Sequence, residues 1–269
     1  MRGPNKADRR RVEALINSYT MSQDLVRQFQ SALVTAISTS RELAPLVHSV
    51  RSRLKDPEHL RNKLYRQISR CKLAHMPFDV APDNLLTRIS DLAGIRILHL
   101  YTRQISSIDK ALRTILDEQR FALVEGPFAR TWDDESRAFL ESCGIETQDS
   151  PSLYTSVHYV VSSASRTTVT CEIQVRTLME EVWGEVDHAM NYPHESESLA
   201  CREQIKVLAR VTSSATRLVD SIFLTLEDHH VRAAKRKAFA SIRGPTNDSA
   251  SRLQSPTRKP RKPSPSRRR

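Results

Sequence analysis

Three short runs rich in Val and Ile limit what this chain can become: Ile95–Leu100 (IRILHL), Ser156–Val161 (SVHYVV) and Thr168–Val175 (TVTCEIQV). Each is bounded by turn residues, and together they read as buried strands. Helical sequence lies before, between and after them. Residues 12–47 read as helices, with Leu25, Phe29, Leu33 and Ile37 at four-residue spacing. A further helix is expected near 104–118, and another from Thr177 to about Met190, stopped by Pro193. Residues 125–153 are polar and read as irregular. Beyond 200, Ile205, Leu208, Val211, Ala215, Leu218, Ile222 and Leu226 form the stripe of a long amphipathic helix, expected to pack on its own domain. This mixture is an α+β or α/β pattern, with no internal repeat.

Composition narrows the class. The 269 residues carry a net charge of +11, and no apolar run reaches the ~20 residues of a membrane-spanning helix. The basic start MRGPNKADRRR is followed by no apolar stretch and so is not a secretory signal. Four scattered cysteines, Cys71, Cys143, Cys171 and Cys201, exclude a zinc ribbon or disulfide scaffold and favour reduced thiols in the cytoplasm. The charge is concentrated at residues 1–12, at 244–269 and, inside the body, at 51–72, where eight basic side chains face two acidic ones. Phosphates are natural partners of such a stretch. Residues 244–269, with five prolines, read as a disordered basic tail, more a solvated extension than a nucleic-acid arm.

Side-chain alternation puts Val169, Cys171, Ile173 and Val175 on one face of the third strand, and Thr170, Glu172 and Gln174 on the other. Asp91 stands just before the first strand. Two carboxylates at the ends of neighbouring strands suit a hard divalent cation such as Mg2+, which takes one or two carboxylates plus water and phosphate oxygens. If 56–67 is helical, Lys63 and Arg66 share a face with His59 one turn earlier, Leu60 and Leu64 form the adjoining apolar stripe, and Arg53 and Lys55 lead in. Six glycines form no P-loop or dinucleotide fingerprint, so side chains would have to hold any nucleotide.

Four segments, RLKDPEHLRNKLYR (53–66), ISDLAGIRI (89–97), YTSVHYVV (154–161) and EIQVRTLMEEVWGEVDHAMNYP (172–193), resemble in order and spacing the synthetase domain of the RelA/SpoT family. The resemblance covers about residues 45–193. It implies a nucleotidyltransferase-like fold, a mixed sheet flanked by helices, here with added N- and C-terminal helices. The implied organisation is a helical segment at 1–44, a synthetase core at 45–195, C-terminal helices at 196–243 and the tail at 244–269. The implied activity is transfer of pyrophosphate from ATP to the 3′-hydroxyl of GDP or GTP, giving the alarmone (p)ppGpp.

Carried over by motif, Arg53, Lys55, Lys63 and Arg66 would hold the ATP phosphates, with His59 among them, and Arg53 and Arg96 would sandwich the adenine. Asp91 and Glu172 would bind magnesium, Glu172 also serving as base. Tyr154 would stack on the acceptor base, with His158 and Gln174 close by. Asp187 and His188 read as supports, and Trp183 as core. The chain departs from the family pattern at His59, where Ser is usual, at Leu153, where Gly usually precedes the Tyr, and at Pro193, where Lys is frequent after Tyr192. Its acceptor-side segment 125–153 has only Arg130 and Arg137 as basic residues.

With no His-Asp dipeptide and about fifty residues before the basic motif, the expectation is a small stand-alone synthetase without hydrolase or ribosome-sensing regions. The alternative is a toxic type that pyrophosphorylates the 3′ end of tRNA, or makes (p)ppApp, and stops growth beside an antitoxin. A catalytically dead nucleotide-binding module is disfavoured because both carboxylates are present. The 200–240 stripe permits a homo-oligomer without requiring one.

Overall fold

The computed structural model describes residues 5–191 and 196–242. Tyr192, Pro193 and the tail at 243–269 lie outside the described residues, and so do the helix stop and the disorder expected there.

Helix α1 (Lys6–Thr39) begins at a capping box in which Asn5 accepts from the Asp8 amide at 2.8 Å and Asp8 accepts from the Asn5 amide. It is one helix that ends at Ser40; residues 41–46 form turns, so the helical reading to 47 overran. It buries Val12, Leu15, Tyr19, Val26, Phe29, Leu33 and Ile37. Strand β1 (Ser49–Leu54) follows, then α2 (Pro57–Leu73), started by Asp56, which accepts from the amides of Glu58 and His59, and by Pro57 in its first turn. Leu60, Leu64 and Ile68 are its buried stripe.

A short α3 (Leu85–Arg88) and a 3-10 turn (Ser90–Leu92) lead into β2 (Ala93–His99), and α4 (Ile105–Glu118) packs behind it. The segment read as irregular instead contains β3 (Ala122–Thr131), α5 (Asp134–Ser142) and β4 (Glu146–Asp149). A bulge around Gly126, at φ +89°, breaks the alternation of β3 that would have marked it as a strand. A side chain at Gly126 would press on the His158 carbonyl at 2.4 Å, so only glycine fits there. Strands β5 (Ser156–Ser162) and β6 (Thr170–Thr177) complete the sheet, followed by α6 (Leu178–Asn191) and α7 (Leu199–Ile242).

The strand order is β1-β2-β6-β5-β3-β4. Pairs β2/β6 and β3/β4 are parallel and the others antiparallel, so the sheet is mixed and the α+β expectation holds. One face is apolar: Ile95, Ile97, Tyr159, Val161, Ile173 and Val175 form a single core with α1, α2 and α4. The N-terminal helix thus shares the core of the sheet. The chain forms one compact unit that ends at Phe223 and a second that begins at Leu224.

Within the first unit, α7 buries Ile205, Ala209, Thr212 and Thr216 and leaves Val207, Val211, Leu218 and Ile222 exposed. The expected stripe is therefore rotated. Arg217 pairs with Asp133 (3.2 Å) and Glu135 (2.7 Å) at the start of α5, and Phe223 stacks on Tyr101 at 4.1 Å. These contacts turn the small residues inward. In the second unit, the described residues 224–242 continue α7 with Arg232 paired to Asp228 (2.8 Å) and with Leu226 and Val231 exposed.

Candidate functional site

The polar face of the sheet carries the site, and register assembles it. Arg51 lies opposite Arg96, Arg96 opposite Gln174, Gln174 opposite His158, and His158 opposite Phe128. One step along, Arg53 lies opposite Gly94, and Gly94 opposite Glu172. Because side chains alternate, all of these project to one side, away from the apolar core. Helix α1 fixes the backbone beneath them: Gln30 donates to the carbonyls of Arg53 (2.7 Å) and Gly94 (3.2 Å), and Tyr19 donates to that of Lys55 (2.6 Å).

Asp91 sits in the 3-10 turn with φ −96° and ψ 17°, the sparsely populated bridge region where active-site residues recur. Its carboxylate accepts from Lys55 at 2.8 Å and from Lys63 at 2.7 Å. Burial opposes its ionisation, but the two ammonium groups outweigh burial and hold the carboxyl below the ordinary range. Glu172 is half-buried on β6, and His158 Nδ1 lies 2.9 Å from its Oε1. Burial and the negative charge of Asp91 raise its pKa, yet the His158 bond and charge prevail and hold it low. His158 is itself buried, stacked on Phe128 at 5.2 Å.

Tyr154 donates from its hydroxyl to Gln174 Oε1 at 3.2 Å and accepts from Arg176 Nη1 at 3.3 Å. Its ring packs beside Trp183, which is buried with Ile205 and Ala209 and donates to the Ile205 carbonyl at 3.1 Å. Trp183 is therefore core, as expected. Arg96 pairs with Glu181 (3.2 Å) and Glu185, and Arg51 with Glu181 (3.7 Å).

Among the described residues, two clefts on this face share the site. The first, about 580 Å³, is lined by Arg53, Asp91, Arg96, Glu172 and Gln174 together with Arg51. The second, about 720 Å³, is lined by Tyr154, Arg176, Trp183, Asp187 and His188. Arg53, Arg96 and Gln174 line both, so the clefts share a wall.

The structure thus brings together Arg53, Lys55, Lys63, Asp91, Arg96, Tyr154, His158, Glu172 and Gln174. His59 is half-buried on α2, near enough to His188 to disfavour its protonation, after burial and the charge of Arg53. Arg66 is exposed and lines neither of these two clefts. Arg137 is taken up by Asp149 and by Thr147 at 3.2 Å, so of the two basic residues on the acceptor side only Arg130 stays exposed. Sequence reasoning gave no role to Arg51, Arg176, Glu181 or Glu185. Arg176 and Glu181 are buried charges whose placement becomes legible only once the turn joining β6 to α6 is known, whereas Arg51 and Glu185 are exposed charges like many others.

The donors fit a magnesium ion bound jointly with phosphate. Asp91 and Glu172 line one cleft and repel each other, a repulsion that a divalent cation would relieve. Among the described residues no three His, Cys, Asp or Glu side chains converge into an all-protein cage.

A family model described as "Region found in RelA / SpoT proteins" matches residues 52–197. No protein of curated function matches the chain. Among solved structures, the small alarmone synthetase 1 from Bacillus subtilis superposes with a TM-score of 0.53 at 17% identity, over 78% of this chain and 96% of that one. A GTP pyrophosphokinase family protein from Streptococcus pneumoniae gives 0.53 at 16% identity, over 78% and 93%. The Bacillus subtilis enzyme bound to its product pppGpp gives 0.51 at 17% identity, over 75% and 94%. At these identities the likeness is one of fold.

Proposed function

This chain belongs to the RelA/SpoT family, and from that premise we propose that it moves pyrophosphate from ATP to the 3′-hydroxyl of GDP or GTP, releasing AMP and forming (p)ppGpp. The observation that carries the reading is that Asp91 and Glu172, far apart in the chain, line one cleft walled by Arg53 and Arg96. The solved relative that holds pppGpp as its product supports a guanosine acceptor.

In this reading the acceptor O3′ attacks the β-phosphorus of ATP, the bond from β-phosphorus to the bridging α,β-oxygen breaks, and AMP leaves with that oxygen. Arg53 and Arg96, whose planar guanidinium groups stack where lysine could not, flank the donor base. Lys55 and Lys63 turn from Asp91 to the ATP phosphates and balance charge on the equatorial oxygens, aided by His59, while Arg66 stays outside both clefts. Asp91 and Glu172 would hold Mg2+, which when bound neutralises phosphate charge. Glu172 is ionised at neutral pH and takes the proton of the 3′-hydroxyl, with His158 behind it. A carboxylate held below its ordinary pKa is a weak base, so general-base help belongs at the lower end of the usual ~10²–10⁴-fold. The larger share falls to orientation and to the cations. Tyr154 stacks on the acceptor base at the edge of the second cleft, beside Gln174.

The second reading, transfer to the 3′ end of tRNA, draws on the exposed run Arg232, Lys235, Arg236 and Lys237 of α7, whose charge suits a polyanion. The exposed Val207, Val211, Leu218 and Ile222 offer a surface on which copies of the chain would assemble. Purified protein incubated with magnesium, labelled ATP and, in separate reactions, GDP, GTP, ATP or deacylated tRNA distinguishes the acceptors. Label in a guanosine nucleotide with untouched tRNA is expected; label in tRNA alone would replace the first reading by the second.

A further inference from the structure

Arg176 and Glu181 have no part in the chemistry above, yet they are 3% and 6% exposed. A charge pair taken out of water seldom adds net stability, because desolvation offsets the attraction. What this pair does add is geometry. Arg176, near the end of β6, pairs with Glu181 in the first turns of α6. The same guanidinium donates to the Tyr154 hydroxyl at 3.3 Å, and its carbon lies 5.5 Å from the centre of the Tyr154 ring. Glu181 Oε1, in turn, accepts from Arg96 at 3.2 Å. A Cβ at position 184 would stand 2.8 Å from Arg176 Nη1 and push the guanidinium aside, so Gly184 leaves it its present place.

We propose that Arg176 and Glu181 are positioning residues that hold the acceptor platform Tyr154 and the donor-side Arg96 in one frame, which rests on the pyrophosphate-transfer reading. Tyr154 and Arg96 belong to different elements and touch different substrates, and the buried pair is the link that joins them through polar contacts. Transfer in line requires the two nucleotides to be set against each other to a fraction of an ångström, and small misplacements are costly. The rigid fork of arginine supplies several directed donors at once, which a lysine point charge does not.

The test is a kinetic double-mutant cycle with ATP and GDP, comparing the wild type, Arg176→Lys, Tyr154→Phe and the double variant. Arg176→Lys is expected to lower kcat/KM for GDP about fivefold, the worth of one hydrogen bond of ordinary net strength, with KM for ATP within twofold of wild type. In the Tyr154→Phe background the same substitution is expected to change little further, because the hydroxyl is gone and the lysine charge still pairs with Glu181, which keeps its hold on Arg96. A merely structural role would lower thermal stability and make the two effects multiply. Gly184→Ala is the second variant: alanine favours the helix, so the fold is kept while Arg176 is displaced, and kcat/KM for GDP should again fall. Multiplicative losses in the double variant, or unchanged GDP kinetics in both Arg176→Lys and Gly184→Ala, would overturn the proposal. A wild type that forms no product from ATP and GDP would instead overturn the reading beneath it.

Discussion

Replacing Asp91 by Asn removes one negative charge from between two ammonium groups, at 2.8 Å from Lys55 and 2.7 Å from Lys63. The three side chains are 19%, 15% and 27% exposed, so water screens the cluster only in part. A hydrogen bond to a charged group contributes about 1.5–3 kcal/mol, and two are weakened here. The amide oxygen of Asn still accepts from one lysine, and the repulsion between Asp91 and Glu172 disappears. The expected net cost is therefore about 1–3 kcal/mol, well inside the ~5–15 kcal/mol of a typical domain. Urea unfolding should show a lower midpoint with an unchanged slope. The pH dependence has a definite sign. With its folded pKa lowered, Asp91 contributes stability above its ordinary value of 3.8, and that contribution is lost as pH falls through the lower folded value. Asp91→Asn should flatten that acid limb. Pyrophosphate transfer, by contrast, should drop by about 10³-fold or more, because the charge that organises cations and phosphates is gone. Transfer within tenfold of wild type in a folded Asp91→Asn protein would refute the reasoning.

Two further outcomes test particular contacts. Glu180 shares reciprocal hydrogen bonds with Thr177 at the start of α6, and burial pushes its carboxyl up to about 7 from an ordinary 4.5. An acid raised on folding favours the protein while protonated, so the wild type should lose stability relative to Glu180→Gln as pH rises from about 4.5 through 7. Parallel urea midpoints for the two proteins at pH 5 and pH 8 would contradict this. Leu153 adopts φ +60°, and a β-branched residue suffers most in that left-handed region. Leu153→Ile, nearly volume-neutral, should cost about 1–2 kcal/mol by denaturation, and an unchanged midpoint would show the backbone there to be relaxed.

How far the sequence reaches depends on where each element sits in the sheet. Strands β2, β5 and β6 are central and buried, so IRILHL, SVHYVV and TVTCEIQV announce themselves by composition. Strands β1 and β4 are the two edges, short and polar, and β3 beside β4 carries a bulge; none offers an unbroken apolar pattern. The stripe of α7 was visible, but the face it buries was decided by Arg217 reaching α5 and Phe223 reaching Tyr101, contacts that no periodicity encodes. The site divides in the same way. Asp91, Glu172 and the basic motif stand out as charges beside strands. Arg176 and Glu181 look like ordinary polar residues until β6 and α6 fold back on each other and desolvate both.

The central claim is that attack falls on the β-phosphorus of ATP, with Asp91 and Glu172 organising the transfer. Measuring AMP alongside labelled product, in reactions of the purified protein with magnesium, ATP and GDP, tests it most directly. One AMP is expected for each pyrophosphate transferred, with both products lost together in Asp91→Asn. Formation of ADP in place of AMP, or AMP that persists undiminished in that variant, would contradict it.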